Sequence, residues 1–339
     1  ASPEAFGKTS RKMVVARLLR CTAPRAAGCA ALAAAATTAV AATCDGEARL
    51  EAASPEAALP PWRLVFEDQF EGPEGSLPDP AKWSYHTKSN NWTKDRRHNE
   101  RQWYMDSRSE NSHLSGHGTL RIIARKEDWV GGEYTSARIR TRRRPGGDFA
   151  PPCRVEVVAK LPAAAPGLWP AIWCMSTESR FGGWPFSGEV DIMEHVGFEP
   201  GVVHSTVHTE AFNWRSQSAN KATLTGVSHE SFHTFVAEWD AELLTVAMDG
   251  AAPHYVFRNA GGGPADWPFG EPFYLMLNLA VGGNWGGKRG IDETALPAVF
   301  EVCSVRIFRR AGAESLPAEA ERLPAEADPA DPEAPASAG

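Results

Sequence analysis

Gly188-Glu189-Val190-Asp191-Ile192-Met193-Glu194-His195-Val196-Gly197 is the stretch on which the reading of this chain turns. In a regular strand the side chains alternate, so Glu189, Asp191 and Met193 share one face and Glu194 points to the other. A β-bulge at Ile192-Met193 makes two residues count as one and returns Glu194 to the face of Glu189 and Asp191. Three carboxylates in a row repel one another and cost stability unless they are paired, share protons or do chemistry. Without the bulge, Glu194 is a solvated residue and Glu189 and Asp191 decorate an exposed face.

Outward from this strand the apolar pattern keeps a period of two from Trp62 to Arg310, in short runs bounded by Gly, Pro, Asn and Asp. Strands are expected at 62–70, 118–126, 134–142, 153–161, 188–196, 202–209, 233–239, 243–249, 272–280 and 299–309. In 153–161, Val155, Val157 and Ala159 face one way and Glu156 and Lys160 the other, as half-buried antiparallel strands do. Met248-Asp249-Gly250 carries a hairpin-turn signal. No segment here has helical periodicity, so the fold class is all-β: two packed antiparallel sheets, with a barrel as the weaker option.

The chain has 339 residues, 42% hydrophobic and 23% charged, with 30 Gly, 26 Pro and 12 Trp. That composition excludes a disordered chain, a collagen, a coiled coil and a polytopic membrane protein. Of the net charge of −7, residues 311–339 carry −6, from seven acids and Arg322. The remainder is nearly neutral, so no nucleic-acid partner is expected. Residues 311–339 repeat Leu-Pro-Ala-Glu-Ala and read as a disordered acidic tail.

Residues 1–42 form a leader. From Met13 a basic start (Arg17, Arg20, Arg25) precedes the apolar, small-residue stretch 26–42, with Ala39-Val40-Ala41 as a cleavage site, which is the layout of a secretory signal. A short membrane anchor and an organellar transit peptide share parts of that layout. The expected organisation is then leader 1–42, linker 43–61, folded domain 62–310 and tail 311–339, in a secreted protein expected to be a monomer. The Asn91-Trp92-Thr93 sequon fits export. Cys44, Cys153, Cys174 and Cys303 lack C-x-x-C spacing, so neither zinc nor a disulfide framework is indicated.

Trp169, Trp173, Trp184, Trp214, Trp267 and Trp285 cluster in the segments around the acids, several in Gly/Pro-rich stretches. Flat rings with a polar edge suit the apolar faces of sugars, whereas core filling accounts for such residues equally well. Paired carboxylates in an aromatic-lined groove point to glycoside hydrolysis, in which retention needs two carboxyls about 5–5.5 Å apart and inversion about 6.5–9.5 Å. Four strand steps set the Cα atoms of Glu189 and Glu194 at most about 13 Å apart, a gap that two Glu side chains largely close, which favours retention. A metal site of Glu194, His204 and His208 is a competing reading, without the helical H-x-x-x-H geometry that would support it.

At Glu-Val-Asp-Ile-Met-Glu, 189–194, the chain resembles glycoside hydrolase family 16, in its laminarinase-type endo-β-1,3-glucanases. The resemblance extends through Gly-Ser-Leu-Pro-Asp-Pro-Ala-Lys-Trp at 75–83, Tyr-Thr-Ser-Ala-Arg at 134–138 and Leu-Trp-Pro-Ala-Ile-Trp at 168–173. It continues through Gly-Trp-Pro at 183–185, Val-His-Ser-Thr-Val-His at 203–208 and Leu-Asn-Leu-Ala-Val-Gly-Gly-Asn-Trp at 277–285. The resemblance implies a β-jelly-roll sandwich with a concave substrate cleft, and Glu189 as nucleophile, Glu194 as general acid/base and Asp191 as the residue that modulates their charge. By matching motif it further implies Trp169, Trp173 and Trp285 as sugar platforms, Asn111 and Arg138 as hydroxyl partners, and His208 near the acid/base. The bulged spacing favours laminarin-like β-1,3-glucan, with mixed-linkage β-1,3-1,4-glucan as a side activity, over the lichenase-type members that carry E-x-D-x-E. A non-catalytic β-glucan recognition protein and a transglycosylase on the same fold are the alternatives.

Two departures stand out. Asp68-Gln69-Phe70 replaces the usual Asp-Glu-Phe, and Cys303 stands where many relatives place an Asp that helps to hold a structural calcium. A thiol is a poor ligand for a hard cation, so no calcium and no other cofactor is expected. Cys153 occupies a usual Gly position.

Overall fold

The computed structural model describes residues 61–87, 98–129, 132–216 and 220–311. The chain divides into units 1–57 and 58–339, and all described residues lie in the second. The leader, the signal-like stretch, the sequon, nearly all of the linker and the tail beyond Ala311 therefore lie outside the described residues.

The domain is a jelly-roll sandwich of two sheets. The acid-bearing sheet runs Asn220–Thr225, Val202–His208, Glu189–Glu194, Leu168–Ser176, Phe273–Val281, Arg138–Arg140, Ser84–Tyr85, with Asp148–Phe149 also on Phe273–Val281. The back sheet runs Tyr255–Arg258, Leu243–Met248, His233–Trp239, Cys153–Lys160, Ala298–Arg310, Leu120–Trp129, Gly132–Ser136, Gln102–Tyr104. Trp62–Asp68 adds to Ala298–Arg310, and Ser112–Leu114 to Leu120–Trp129. Every pairing is antiparallel except that of Gln102–Tyr104 with Gly132–Ser136. Among the described residues the only helix is a short 3₁₀ turn, Glu293–Ala295.

Side-chain alternation builds the layers. Along Phe273–Val281, Phe273, Leu275, Leu277, Leu279 and Val281 enter the core between the sheets, while Tyr274 and Met276 pack with Ala171 and Trp173 on the opposite, acid-bearing face. Fully burying each large apolar side chain contributes about 1.5–3 kcal/mol. Aromatic rings link much of this core: Phe257 stacks on Trp267 at 5.5 Å, Trp267 meets Phe269 edge-on at 5.2 Å, and Phe273 joins Trp239 at 5.9 Å. Trp267 is thus core filler. Cys153 and Cys174 are buried free thiols in the same core, so the Gly position of Cys153 has become a packing position.

Each expected strand falls on an observed one, with 134–142 split at Ala137. Leu168–Ser176, Asn220–Thr225 and Tyr255–Arg258 are additions, as are four strands of two or three residues. Leu168–Ser176 lies at the centre of its sheet with both faces covered, so it shows no period-two contrast, and Pro170 reads as a breaker. There the Pro170 carbonyl accepts from His195 N–H at 3.2 Å. Asp68 anchors the entry to the domain by accepting from Phe70 N–H at 3.0 Å and Trp83 Nε1–H at 2.8 Å, while Gln69 only reaches Glu67 at the surface.

Candidate active site

The register around Glu189–Glu194 carries one extra residue. Against Val202–His208, Glu189 pairs with His208, Asp191 with Thr206 and Glu194 with His204, so three steps on one strand match two on the other. Against Leu168–Ser176, Met193 pairs with Ile172 and Asp191 with Trp173, leaving Ile192 as the insertion. Val190, Ile192 and Met193 all enter the core. Glu189, Asp191 and Glu194 are left on the opposite face, where both glutamates are half-buried and Asp191 is buried. The bulge therefore consumes two apolar residues on the inside and keeps the acids in phase on the outside. Gly188 precedes this strand at φ 84°, and a Cβ there would stand 2.8 Å from Pro268 Cγ, so the close approach to Pro268 and Phe269 just ahead of the acids requires glycine.

Electrostatically the three acids form one unit. Burial, then the charge of Asp191, pushes Glu189 up to about 8. Burial likewise pushes Asp191 up to about 7, and Glu194 well above the usual carboxylate range, again with Asp191 as the second cause. Glu189 and Asp191 bring carboxylate oxygens within 4.8 Å of each other, close enough for the two to titrate as a pair. Opposing these shifts, Trp169 Nε1–H donates to Glu194 Oε1 at 3.0 Å, and Trp184 acts on Glu189 in the same direction.

Aromatic groups flank the row at both ends. Beside Glu194, Trp169 meets Trp285 edge-on at 5.5 Å, and His204 packs against Trp285 at 4.8 Å. Gly283, at φ 79°, would place a Cβ 2.8 Å from the Trp169 ring, so this loop folds closely over the platform. Beside Glu189, Trp184 lies 5.7 Å from both His208 and Trp214, and Arg215 stacks over Trp184 at 4.8 Å and Trp214 at 5.3 Å. Trp214 is 50% exposed, an unusual state for a large ring.

Several expected positions shift. His208 stands across from Glu189 in the ladder, with its Nε2 3.3 Å from Asp191 Oδ2, the acid between the two glutamates. Trp173 is on the right face but only 7% exposed, its Nε1–H donating to Asn278 Oδ1 at 2.7 Å. Arg138 lies beneath it, 5.1 Å from the Trp173 ring and 4.5 Å from that of Tyr104. These two residues form a floor. Asn111 stands apart from the acids: fully buried, it donates to Ile123 O at 3.0 Å and Thr135 Oγ1 at 2.9 Å and accepts from Arg108. Its amide is spent inside the fold, which is the commonest fate of a buried Asn. Tyr104, Asn278 and Glu100, which sequence reading passed over, complete the floor, with Asn278 Nδ2–H donating to Tyr104 Oη at 3.2 Å. Trp184 carried a signal, its place in the Trp cluster, but nothing marked its packing against His208, across from Glu189.

His204 Nε2 lies 2.9 Å from Glu199, and Glu194, His204 and His208 do not gather as a metal site. Among the described residues the set with metal-ligand geometry is Glu189, Asp191 and His208, whose donor atoms lie within 4.8 Å of one another.

Chemically, the arrangement offers two glutamates on one face, with an Asp beside one and an indole donor on the other. The family model described as glycosyl hydrolases family 16 matches residues 99–295. A β-glucanase of Rhodothermus marinus is 40% identical over 258 residues, covering 74% of this chain and 86% of the relative. A glucan endo-1,3-β-glucosidase of Cryptopygus antarcticus is 34% identical, covering 69% of this chain and 85% of the relative. The crystal structure of the laminarinase from Rhodothermus marinus superposes with a TM-score of 0.68 at 39% identity, over 75% of this chain and 99% of that one. A bulged acid strand, a jelly-roll sandwich and these likenesses lead to one conclusion: the chain is a member of glycosyl hydrolases family 16.

Proposed function

We propose that this protein is an endo-acting, retaining glycoside hydrolase that cleaves β-1,3-glucan of the laminarin type, with mixed-linkage β-1,3-1,4-glucan as a secondary substrate. The observation that carries the reading is the register shift that keeps Glu189, Asp191 and Glu194 on one face. In the first step the Glu189 carboxylate attacks the anomeric carbon, the glycosidic C–O bond breaks, and the Glu194 proton passes to the leaving oxygen. In the second, Glu194 takes a proton from water, whose oxygen attacks the same carbon and frees Glu189. Asp191 holds the shared proton against Glu189, so the nucleophile can be ionised without three full charges side by side.

The raised Glu194 supports its role as the acid, since a carboxyl must keep its proton near neutral pH to donate it. Aromatic residues on both sides of the acids support binding of a polymer across the row, as internal cleavage needs. Nucleophile and both proton transfers come from side chains, so the reading calls for no cofactor. The leader supports export to where polysaccharide is found. A binding-only protein is disfavoured because all three acids are present.

Incubation with laminarin tests the proposal. New reducing ends should form, with the β-anomer first in the proton NMR spectrum, and Glu189→Gln should lower kcat on the order of 10⁴-fold. Binding without new ends, or a Glu189→Gln variant of full activity, would end it.

A further inference from the structure

The inner-face bulge disturbs the ladder locally. Where one strand carries an extra residue, a backbone group falls out of register, and a buried carbonyl without a donor is destabilising. Ile192 lies in the core, and its carbonyl is met by Ser205 Oγ–H at 2.8 Å. Ser205 stands between His204 and Thr206, the partners of Glu194 and Asp191, and is fully buried opposite the inserted residue.

Ser205 has a single hydroxyl proton, and Ile192 takes it. Its oxygen lies 2.9 Å from His254 Nε2, so it accepts there and His254 carries its proton on Nε2. His254 Nδ1 is buried with no hydrogen-bond partner among the described residues, so the imidazole is neutral. His254 is itself pinned, its N–H donating to Val246 O at 3.0 Å, at the head of Tyr255–Arg258 in the back sheet. A relay of hydrogen bonds thus crosses the sandwich from the back sheet to the bulge.

We propose that Ser205 and His254 are positioning residues that clamp the bulge and thereby set Glu194 relative to Glu189, without touching substrate. This rests on the glucanase reading above, since what they position is the acid of that reaction. A clamp of this kind matters most where protonation of the leaving group is hard, because slight misplacement of a catalytic group costs up to about 100-fold.

The test compares kcat/KM of the full chain on laminarin and on 2,4-dinitrophenyl β-laminaribioside, whose leaving group departs without a proton. Ser205→Ala is expected to lose about 10–100-fold on laminarin through kcat, with KM held within about twofold, and only about threefold on the dinitrophenyl substrate. His254→Leu should show the same split, and His254→Gln, whose amide N–H can donate where Nε2–H does, should recover most of the activity. The His254 pair decides the matter even if Ser205→Ala fails to fold. Equal losses on both substrates, no loss on either, or a Gln variant as poor as Leu would overturn the clamp. A wild-type protein inactive on both substrates would sink the glucanase reading instead.

Discussion

Two of the domain's single-residue bulges serve opposite ends. In Glu189–Glu194 the doubled pair, Ile192 and Met193, enters the core, and the acids stay in phase on the outside. In Ala298–Arg310 the register slips at Cys303, between Val302 and Ser304; there Cys303 and Ser304 stay on the half-buried outer face while Phe300, Val302, Val305 and Ile307 stay inside. The outer bulge merely shifts the phase of an apolar pattern. The inner one places a backbone carbonyl in the dry interior and a carboxyl at a defined spot on the far face, so it must be held by other side chains. The same insertion is thus tolerant in one sheet and demanding in the other.

That contrast can be broken most severely by adding one more residue. An alanine inserted between Met193 and Glu194 turns Glu194 toward the core, and hydrolysis of laminarin should fall by about 10²–10⁴-fold or more, the usual worth of a general acid/base. Deleting Ile192 instead restores a regular strand with Glu189, Asp191 and the final Glu still in phase, so measurable activity should remain. An insertion variant as active as the deletion variant would show that the phase of Glu194 does not matter.

A smaller effect is expected from Trp169→Phe, which keeps the ring near Trp285 but removes the N–H from Glu194. Its kcat should drop about tenfold, in line with about 1.4 kcal/mol for one hydrogen bond to a carboxyl, while KM changes little. A rise in KM alone would make Trp169 a platform and nothing more.

Stability against pH gives a further separation. In the folded state Glu189 and Asp191 are pushed up to about 8 and about 7, above the ordinary values of 4.5 and 3.8, so the pair keeps a proton that the unfolded chain has lost. The folded protein therefore binds more protons than the unfolded one across this window, and stability falls as pH rises through it. Glu189→Gln has no charge to bury, so its Tm should decline less from pH 4 to pH 8 and exceed that of the wild type at pH 8. Parallel Tm profiles would contradict a proton-sharing pair. At the outer bulge the smallest effect is expected: Cys303→Ser should change stability by no more than about 0.5 kcal/mol and leave kcat unaltered.

Much of this architecture is legible in the sequence because a half-buried strand announces itself by alternation. Val305 and Ile307 against Ser304 and Arg306 give the outer strand, and the adjacent apolar pair Ile192-Met193 gives the inner bulge. Leu168–Ser176 escaped because burial on both faces erases alternation and Pro170 reads as a stop. The acid row was legible from spacing. Its supports were not: the packing of Trp184 on His208, the floor of Tyr104, Asn278 and Glu100, and the relay through Ser205 and His254 join residues far apart in the chain. Asn111 shows the converse, where a motif match named a residue whose amide the fold had already consumed.

The central claim is that a bulged strand presents Glu189 as the nucleophile of a double displacement. Incubation with 2-deoxy-2-fluoro-β-laminaribiosyl fluoride, followed by proteolysis and mass spectrometry, tests it most directly. The account predicts one stable adduct, on the peptide containing Glu189 and carried by that residue; an adduct on any other residue, or turnover with inversion and no adduct, would contradict it.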